Sequence, residues 1–288
     1  MVRLVLGTAT FGTGYGIANK GNQVKSDTVQ ELIKTAEKLG IVDFDTAPAY
    51  GLAEELLGRF LDPKLSPMVS SKISSKDCRS VRLMISSVRE TLCRTNVATL
   101  ENLYLHDSEI LSEIGANEAI SGLEEIKHLG LAKNVGISAY ELESLLRFKD
   151  RFPQLKAFQV PENILDRRMF NSQDLLDLSK EGDTFIVRSL FLQGLILMSP
   201  EDIPTELEPA RAVISKLRAF SDFNSISPLS ICLGYGRLIP WASGLVVGAV
   251  NSTQLQQIVE AKTSLPKEWE TEIQILSEEI ADPRLWTK

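Results

Sequence analysis

The chain has 288 residues, 43% of them hydrophobic and 24% charged, with a formal net charge of −7. That length and composition suit one large globular domain and exclude a disordered or fibrous chain. The acidic balance, with Lys and Arg scattered rather than clustered, argues against nucleic acid or an anionic membrane surface as partners.

Short β-branched or apolar runs recur along the whole chain, at Arg3–Gly7, Ile41–Asp45, Met68–Lys72, Leu100–His106, Asn134–Ser138, Ala157–Val160, Phe185–Arg188 and Leu245–Val250. Each reads as a strand, and amphipathic stretches with helical spacing lie between them. In the first, Val29, Leu32, Ile33, Ala36 and Leu39 share one face; Ser26-Asp27 is the predicted N-cap and Gly40 the predicted stop. Asn117–Leu129 repeats the form and stops at Gly130, and Ser252–Ala261 and Lys267–Ile280 are predicted as two more helices. Strand–helix alternation implies parallel strands with right-handed crossovers. The fold class predicted is therefore α/β, a single (β/α)8 TIM barrel over residues 1–288, since eight strands close a barrel of about this size. An open doubly wound sheet is the alternative.

Cys78, Cys93 and Cys232 are odd in number and form no C-x-x-C pair, which argues against a disulfide framework or a structural zinc. Cys93, in a helical pattern with Val81, Met84, Ile85, Val88 and Leu92, is expected in the core. No cleavable leader is visible, and the apolar stretch Phe185–Met198 is interrupted by Arg188 and Gln193. The expectation is a soluble, cytoplasmic protein with no bound metal.

In a barrel, reactive groups project from the C-terminal strand ends and the loops that follow. Asp45 closes the second strand, Tyr50 follows it, Lys72 closes the third and His106 the fourth. A phenol titrates near pH 10, so it exchanges protons at neutral pH only if its anion is stabilised. A Lys ammonium does that, a carboxylate holds the ammonium charged, and a His can polarise a carbonyl oxygen. Singly, each has a bland reading: a loop aromatic, a solvated strand end, an N-cap. His128, the other histidine, sits late in a helix where it complements the dipole.

These residues lie in segments that resemble the aldo-keto reductase family. VDFDTAPAYGLAEELLG is similar to the family signature, VSSKI to the stretch around its Lys and LYLHD to the stretch around its His. LGTATFG, VGIS, FQVPEN, VRSLFLQGL and VVGAVNSTQLQQIVEA follow in family order, so the likeness covers nearly the whole chain. It implies a reduced nicotinamide cofactor, NADPH or NADH, whose hydride passes to the carbonyl carbon of a small aldehyde, ketone or sugar-like substrate. It further implies that Ser138 and Gln159 hold the nicotinamide carboxamide and that Thr8 borders that ring. Ser189, Phe191 and Gln193 would follow the pyrophosphate, and Gly248, Asn251, Gln254 and Gln257 would meet the far end of the cofactor.

Four features depart from the family pattern. Ala139 stands where many members have an Asn that also binds the carboxamide, and Arg188 where many place a Tyr that stacks on the nicotinamide. Arg188 would disfavour the oxidised, cationic ring, or turn instead toward a substrate anion. From Gly248 to Gln257 there is no cation for a 2′-phosphate, which leaves a helix N-terminus as the phosphate contact and the cofactor preference open. The N-terminal hairpin that plugs the barrel bottom in many members is predicted absent, with the C-terminal Asp282–Trp286 as its candidate replacement.

Other polar and aromatic residues carry weaker expectations. Asn251, Ser252 and Gln254 equally suit a helix cap. Asp166-Arg167-Arg168 reads as a surface ion-pair cluster, with contact to an anionic substrate from the sixth loop as the alternative. Tyr15 is the best candidate for a substrate-pocket aromatic, with Trp241 and Phe191 assigned more readily to the core. Two other functions fit the same residues: a cofactor-sensing or regulatory barrel with little turnover, and a barrel lyase using Lys72 as a Schiff-base amine.

Overall fold

The computed structural model describes residues 2–19, 21–112 and 115–286. Eight parallel strands close into a barrel in sequence order: β1 (Arg3–Gly7), β2 (Asp43–Asp45), β3 (Met68–Ile73), β4 (Leu100–Leu105), β5 (Ala132–Ser138), β6 (Ala157–Pro161), β7 (Thr184–Arg188) and β8 (Gly244–Val247). Closure comes from β8 pairing with β1, from Arg3 opposite Gly244 to Leu6 opposite Val247. The open doubly wound sheet is thereby excluded. Every strand expected from the sequence is present, most with ends displaced by one to three residues, as is usual for element boundaries.

The outer layer contains α1 (Ser26–Lys38), α2 (Ala53–Phe60), α3 (Val81–Thr95), α4 (Ala116–His128), α5 (Leu142–Arg151), α6 (Gln173–Lys180), α7 (Glu208–Asn224), α8 (Pro228–Leu238) and α9 (Ser252–Glu260). α1 buries Val29, Leu32, Ile33 and Ala36, the apolar face read from its sequence. Its N-cap is Lys25, which makes no side-chain cap, so Ser26 is already helical. Gly40 and Gly130 each follow a helix at positive φ, 76° and 69°, as chain-reversing C′ residues do.

Alternation within strands sets which side chains enter the barrel. Asp43 and Asp45 on β2 flank Phe44, which joins the hydrophobic core. Polar residues lie with them: Ser70 and Asn102 are buried and Asn134 half-buried, in a chain in which Asn102 Nδ2 donates to Ser70 Oγ (3.0 Å) and Asn134 Nδ2 to Asn102 Oδ1 (3.2 Å). At the N-terminal end of the barrel Arg3 pairs with Asp43 at 2.5 Å.

Three expectations are corrected. Cys93 is exposed, because α3 buries Met84, Val88, Thr91, Leu92 and Thr95, and position 93 turns about 100° off that face. Lys267–Ile280 is not one helix but two short turns, Trp269–Glu272 and Glu278–Ala281. Trp269, Ile273, Leu276 and Ile280 are all buried at helical spacing, which made the segment read as a helix. Its backbone is satisfied by tertiary partners instead: Leu276 N–H donates to Leu165 O, and Arg167 donates to the carbonyls of Glu270 and Ile273. Lastly, Asp282–Trp286 does not replace a bottom plug. Pro283, Arg284 and Trp286 line a cavity shared with Tyr50 and His106, at the opposite end of the barrel.

Candidate active site

The C-terminal ends of the strands bring the four predicted residues together. Lys72, on β3, directs Nζ to both carboxylate oxygens of Asp45 at 2.8 Å and to Thr46 O at 3.1 Å. The pair is enclosed, with side chains 2% and 7% exposed. Burial alone would lower the pKa of Lys72, but the Asp45 charge and the adjacent Tyr50 outweigh it and hold the ammonium above its usual range. Lys72 Nζ lies 5.1 Å from the centre of the Tyr50 ring. His106, in the segment after β4, lines the same cavity as Tyr50 and Lys72. Desolvation, followed by the positive charge of Lys72, keeps its pKa below the usual value, so it is a neutral donor at pH 7.

Local packing fixes Tyr50. A side chain on Gly12 would place Cβ 1.8 Å from Tyr50 O, so a glycine there lets the loop after β1 support the loop after β2. Four residues on, Glu54 of α2 is 1% exposed and accepts from Ser71 Oγ (2.9 Å), Thr91 Oγ1 (3.2 Å) and Arg94 Nε (2.7 Å). That network ties α2 and α3 to the strand that carries Lys72.

A groove of about 730 Å³ runs outward from Asp45 and Tyr50. Thr8, Gln159, Arg188, Ser189, Phe191, Gln193, Gly248, Gln254 and Gln257 all line it, as does Tyr15. Ser138 faces the second cavity, of about 790 Å³, together with Tyr50, Lys72, His106, Arg188 and Tyr15. Thr8 Oγ1 donates to Asp45 O (3.0 Å). Gln159 Nε2 donates to Asp45 Oδ1 (2.7 Å), which leaves its buried Oε1 without a partner. An unpaired buried carbonyl oxygen at this depth suits an amide N–H₂ such as that of a nicotinamide carboxamide. After β7 the chain holds Ser189, Leu192, Gln193 and Gly194 at φ of 61°, 46°, 54° and 93°. Non-glycine residues in that region carry strain that clusters at ligand sites.

Other expected residues have different positions. Asn251 is the N-cap of α9, its Oδ1 accepting from Gln254 N (2.9 Å), while Gln254 Oε1 accepts from Val250 N (3.1 Å). Asn251 is not among the groove-lining residues. Trp241 is 1% exposed and donates to Met169 O at 2.9 Å, within the core. Asp166 and Arg168 pair at 2.9 Å while Arg167 stacks 4.9 Å from the Trp269 ring, a partly buried brace that lines neither cavity.

Sequence reasoning missed four contributors. Arg218, on α7, lines the outer groove and donates to Leu197 O (2.5 Å) and Met198 O (2.8 Å); its buried Nε has no partner. Among the described residues no carboxylate pairs with it. Tyr140, Arg284 and Trp286 line the second cavity. Nothing local marks Arg218, whereas Tyr140 stands two residues after Ser138 and could have been found by its place at a strand end.

A closed parallel barrel with a buried Lys–Asp pair beside Tyr and His at the mouth of a long groove defines a barrel oxidoreductase of the NAD(P)-dependent class. The chain belongs to the aldo/keto reductase family, whose model matches residues 3–278. It is 26% identical over 283 residues to L-galactose dehydrogenase of Arabidopsis thaliana, covering 90% of this chain and 86% of that protein. It is 28% identical over 231 residues to D-threo-aldose 1-dehydrogenase of a Pseudomonas species, covering 67% and 69%. Among solved structures, the holo form of an aldo-keto reductase from Bacillus halodurans shares the fold with a TM-score of 0.75 at 19% identity, covering 97% and 95%. The glycerol dehydrogenase of Gluconobacter oxydans does so with a TM-score of 0.71 at 20% identity, covering 94% and 90%. Among the described residues no helix is long and apolar enough to cross a membrane, and no group of three or more His, Cys, Asp or Glu is placed to hold a metal.

Proposed function

We propose that this protein is a cytoplasmic single-domain enzyme that reduces a sugar-like or other small carbonyl compound with NAD(P)H, or runs the reverse oxidation. Tyr50 is its general acid/base. The observation that carries this reading is the buried ammonium of Lys72, fixed at 2.8 Å from both oxygens of Asp45 and 5.1 Å from the Tyr50 ring. That charge favours the phenolate left when Tyr50 gives up its proton. Neutral His106 donates an N–H to the carbonyl oxygen and turns it toward Tyr50. The cofactor supplies hydride. Ser138 and the free Oε1 of Gln159 would hold its carboxamide, and Thr8 would border its ring. A lysine held as a charged, buried ion pair is a poor amine nucleophile, which argues against the Schiff-base alternative.

For the far end of the cofactor, Arg218 takes the place of the cation missing from Gly248–Gln257. It faces the groove without a carboxylate partner, so a 2′-phosphate gains a charge-assisted contact there, and NADPH is the preferred form. The names of the sugar dehydrogenases above support polyhydroxylated substrates. Tyr50→Phe tests the central assignment: carbonyl reduction is lost while cofactor affinity, read by tryptophan quenching, stays within about twofold. A variant that reduces a good substrate at the parent rate removes Tyr50 from the role.

A further inference from the structure

Arg188 closes β7 at the centre of the mouth and lines both cavities. Its guanidinium lies 4.0 Å from the centre of the Tyr140 ring, and Nη1 donates to Ser189 Oγ at 3.3 Å. The buried Nη2 has no partner.

The cations nearby are already neutralised. Lys72 has Asp45, and Arg284, which lies 3.5 Å from the centre of the same Tyr140 ring, has Asp282 and Glu141. Glu141 is further engaged by Arg168, and Asp107 Oδ1 accepts from Glu109 N. Among the described residues Arg188 has no carboxylate within ion-pair distance. A half-enclosed guanidinium with an orphaned N–H is unfavourable until an anion meets it.

We propose that Arg188 is a substrate-binding residue that takes a carboxylate, so that the substrates are carbonyl compounds bearing one carboxylate group. This deepens the reductase reading and rests on it. One unpaired guanidinium balances one negative charge, and its planar edge matches the two oxygens of a carboxylate. Tyr140, against which the guanidinium is stacked, lines with it the cavity that also holds Tyr50 and His106.

The same placement bears on the cofactor. A cation next to the nicotinamide site opposes the positive ring of the oxidised cofactor, and a bound carboxylate relieves that opposition. In the forward step the carbonyl carbon takes hydride from the reduced nicotinamide. The carbonyl oxygen takes the Tyr50 proton. The products are a hydroxy acid and the oxidised cofactor.

The experiment is calorimetric binding of acetate, propanoate and benzoate, each against its amide, to the NADPH-saturated protein. Cofactor affinity is measured separately by tryptophan quenching. At least one acid should bind about tenfold or more tightly than its amide, as expected for a charge-assisted pair. Arg188→Gln should bring that ratio to within about twofold, while Arg188→Lys, which keeps the charge, retains part of it. Parent protein that binds every acid no better than its amide overturns the proposal, whatever the variants do. So does an acid preference that survives Arg188→Gln. Acid selectivity without reduction of any carbonyl compound would sink the reductase reading and leave this site standing; reduction with no acid selectivity would do the reverse.

Discussion

Asp43 and Asp45 lie two residues apart on β2, face the same side of the strand, and each meets a cation; yet the two pairs do different work. At the mouth Lys72 and Asp45 are almost fully enclosed, and Tyr50 lies against the ammonium. At the opposite end Arg3 is 38% exposed, so Asp43 has a partner that solvent screens. Burial therefore pushes the Asp43 carboxyl up to about 6, against the pull of Arg3. Under the proposed mechanism the enclosed pair differs from the exposed one because its charge reaches a third group, Tyr50. The lower pair ties β1 to β2 and faces no cavity shared with Tyr50 and His106.

Lys72→Met should break the comparison most sharply. Loss of the ammonium removes the stabilisation of tyrosinate, so kcat/KM should fall by about a thousandfold, with the pKa that governs the rate moving up. Asp43→Asn should leave kcat/KM within about threefold. Equal losses in the two variants, measured by steady-state kinetics across pH, would show that the mouth pair has no special role.

Arg218→Gln separates charge that serves chemistry from charge that serves binding. NADPH should bind about ten- to a hundredfold more weakly, with NADH changed less than about threefold, because only the phosphate loses a charge-assisted partner. Dissociation constants for both cofactors in one low-salt buffer check it. An equal loss for both would move Arg218 to the pyrophosphate.

Glu162 shows what a buried carboxylate does with no cation in direct contact. It is fully enclosed, accepts from Tyr235 Oη and from Met169 N (3.0 Å), and burial pushes its pKa up to about 8. A carboxyl raised on folding stabilises the fold at low pH, and that contribution disappears as pH rises through its folded pKa. The parent should lose on the order of 1–3 kcal/mol between pH 5 and 8 through this group, and Glu162→Gln should flatten the loss. Urea unfolding at the two pH values measures it.

The smallest effect belongs to Asp43. Its contribution is present below about pH 4 and lost as pH rises through about 6, so Asp43→Asn should reduce the fall in stability over that interval. A change of about 1 kcal/mol, or roughly 2–4 °C in Tm, is expected. A variant with the parent's slope would mean that Arg3 already offsets the burial of Asp43.

The sequence by itself determined the barrel and which polar residues share its mouth. Strand–helix alternation is local, and a residue at a strand's C-terminal end faces the mouth wherever the barrel closes, so Asp45, Lys72 and His106 could be read together. The outer groove could not be read in this way. Arg218 reaches it because α7 packs beside Leu197 and Met198, and no spacing in the chain encodes that path. The end of the chain misled for the same reason. Trp269, Ile273, Leu276 and Ile280 keep a helical rhythm, but Leu165 and Arg167 capture the backbone between them and bring Arg284 to Tyr140 at the mouth. Only the tertiary structure decided which cations are neutralised, because a charge 100 residues away in sequence is a neighbour only once the loops have folded; that is what left Arg188 and Arg218 without partners.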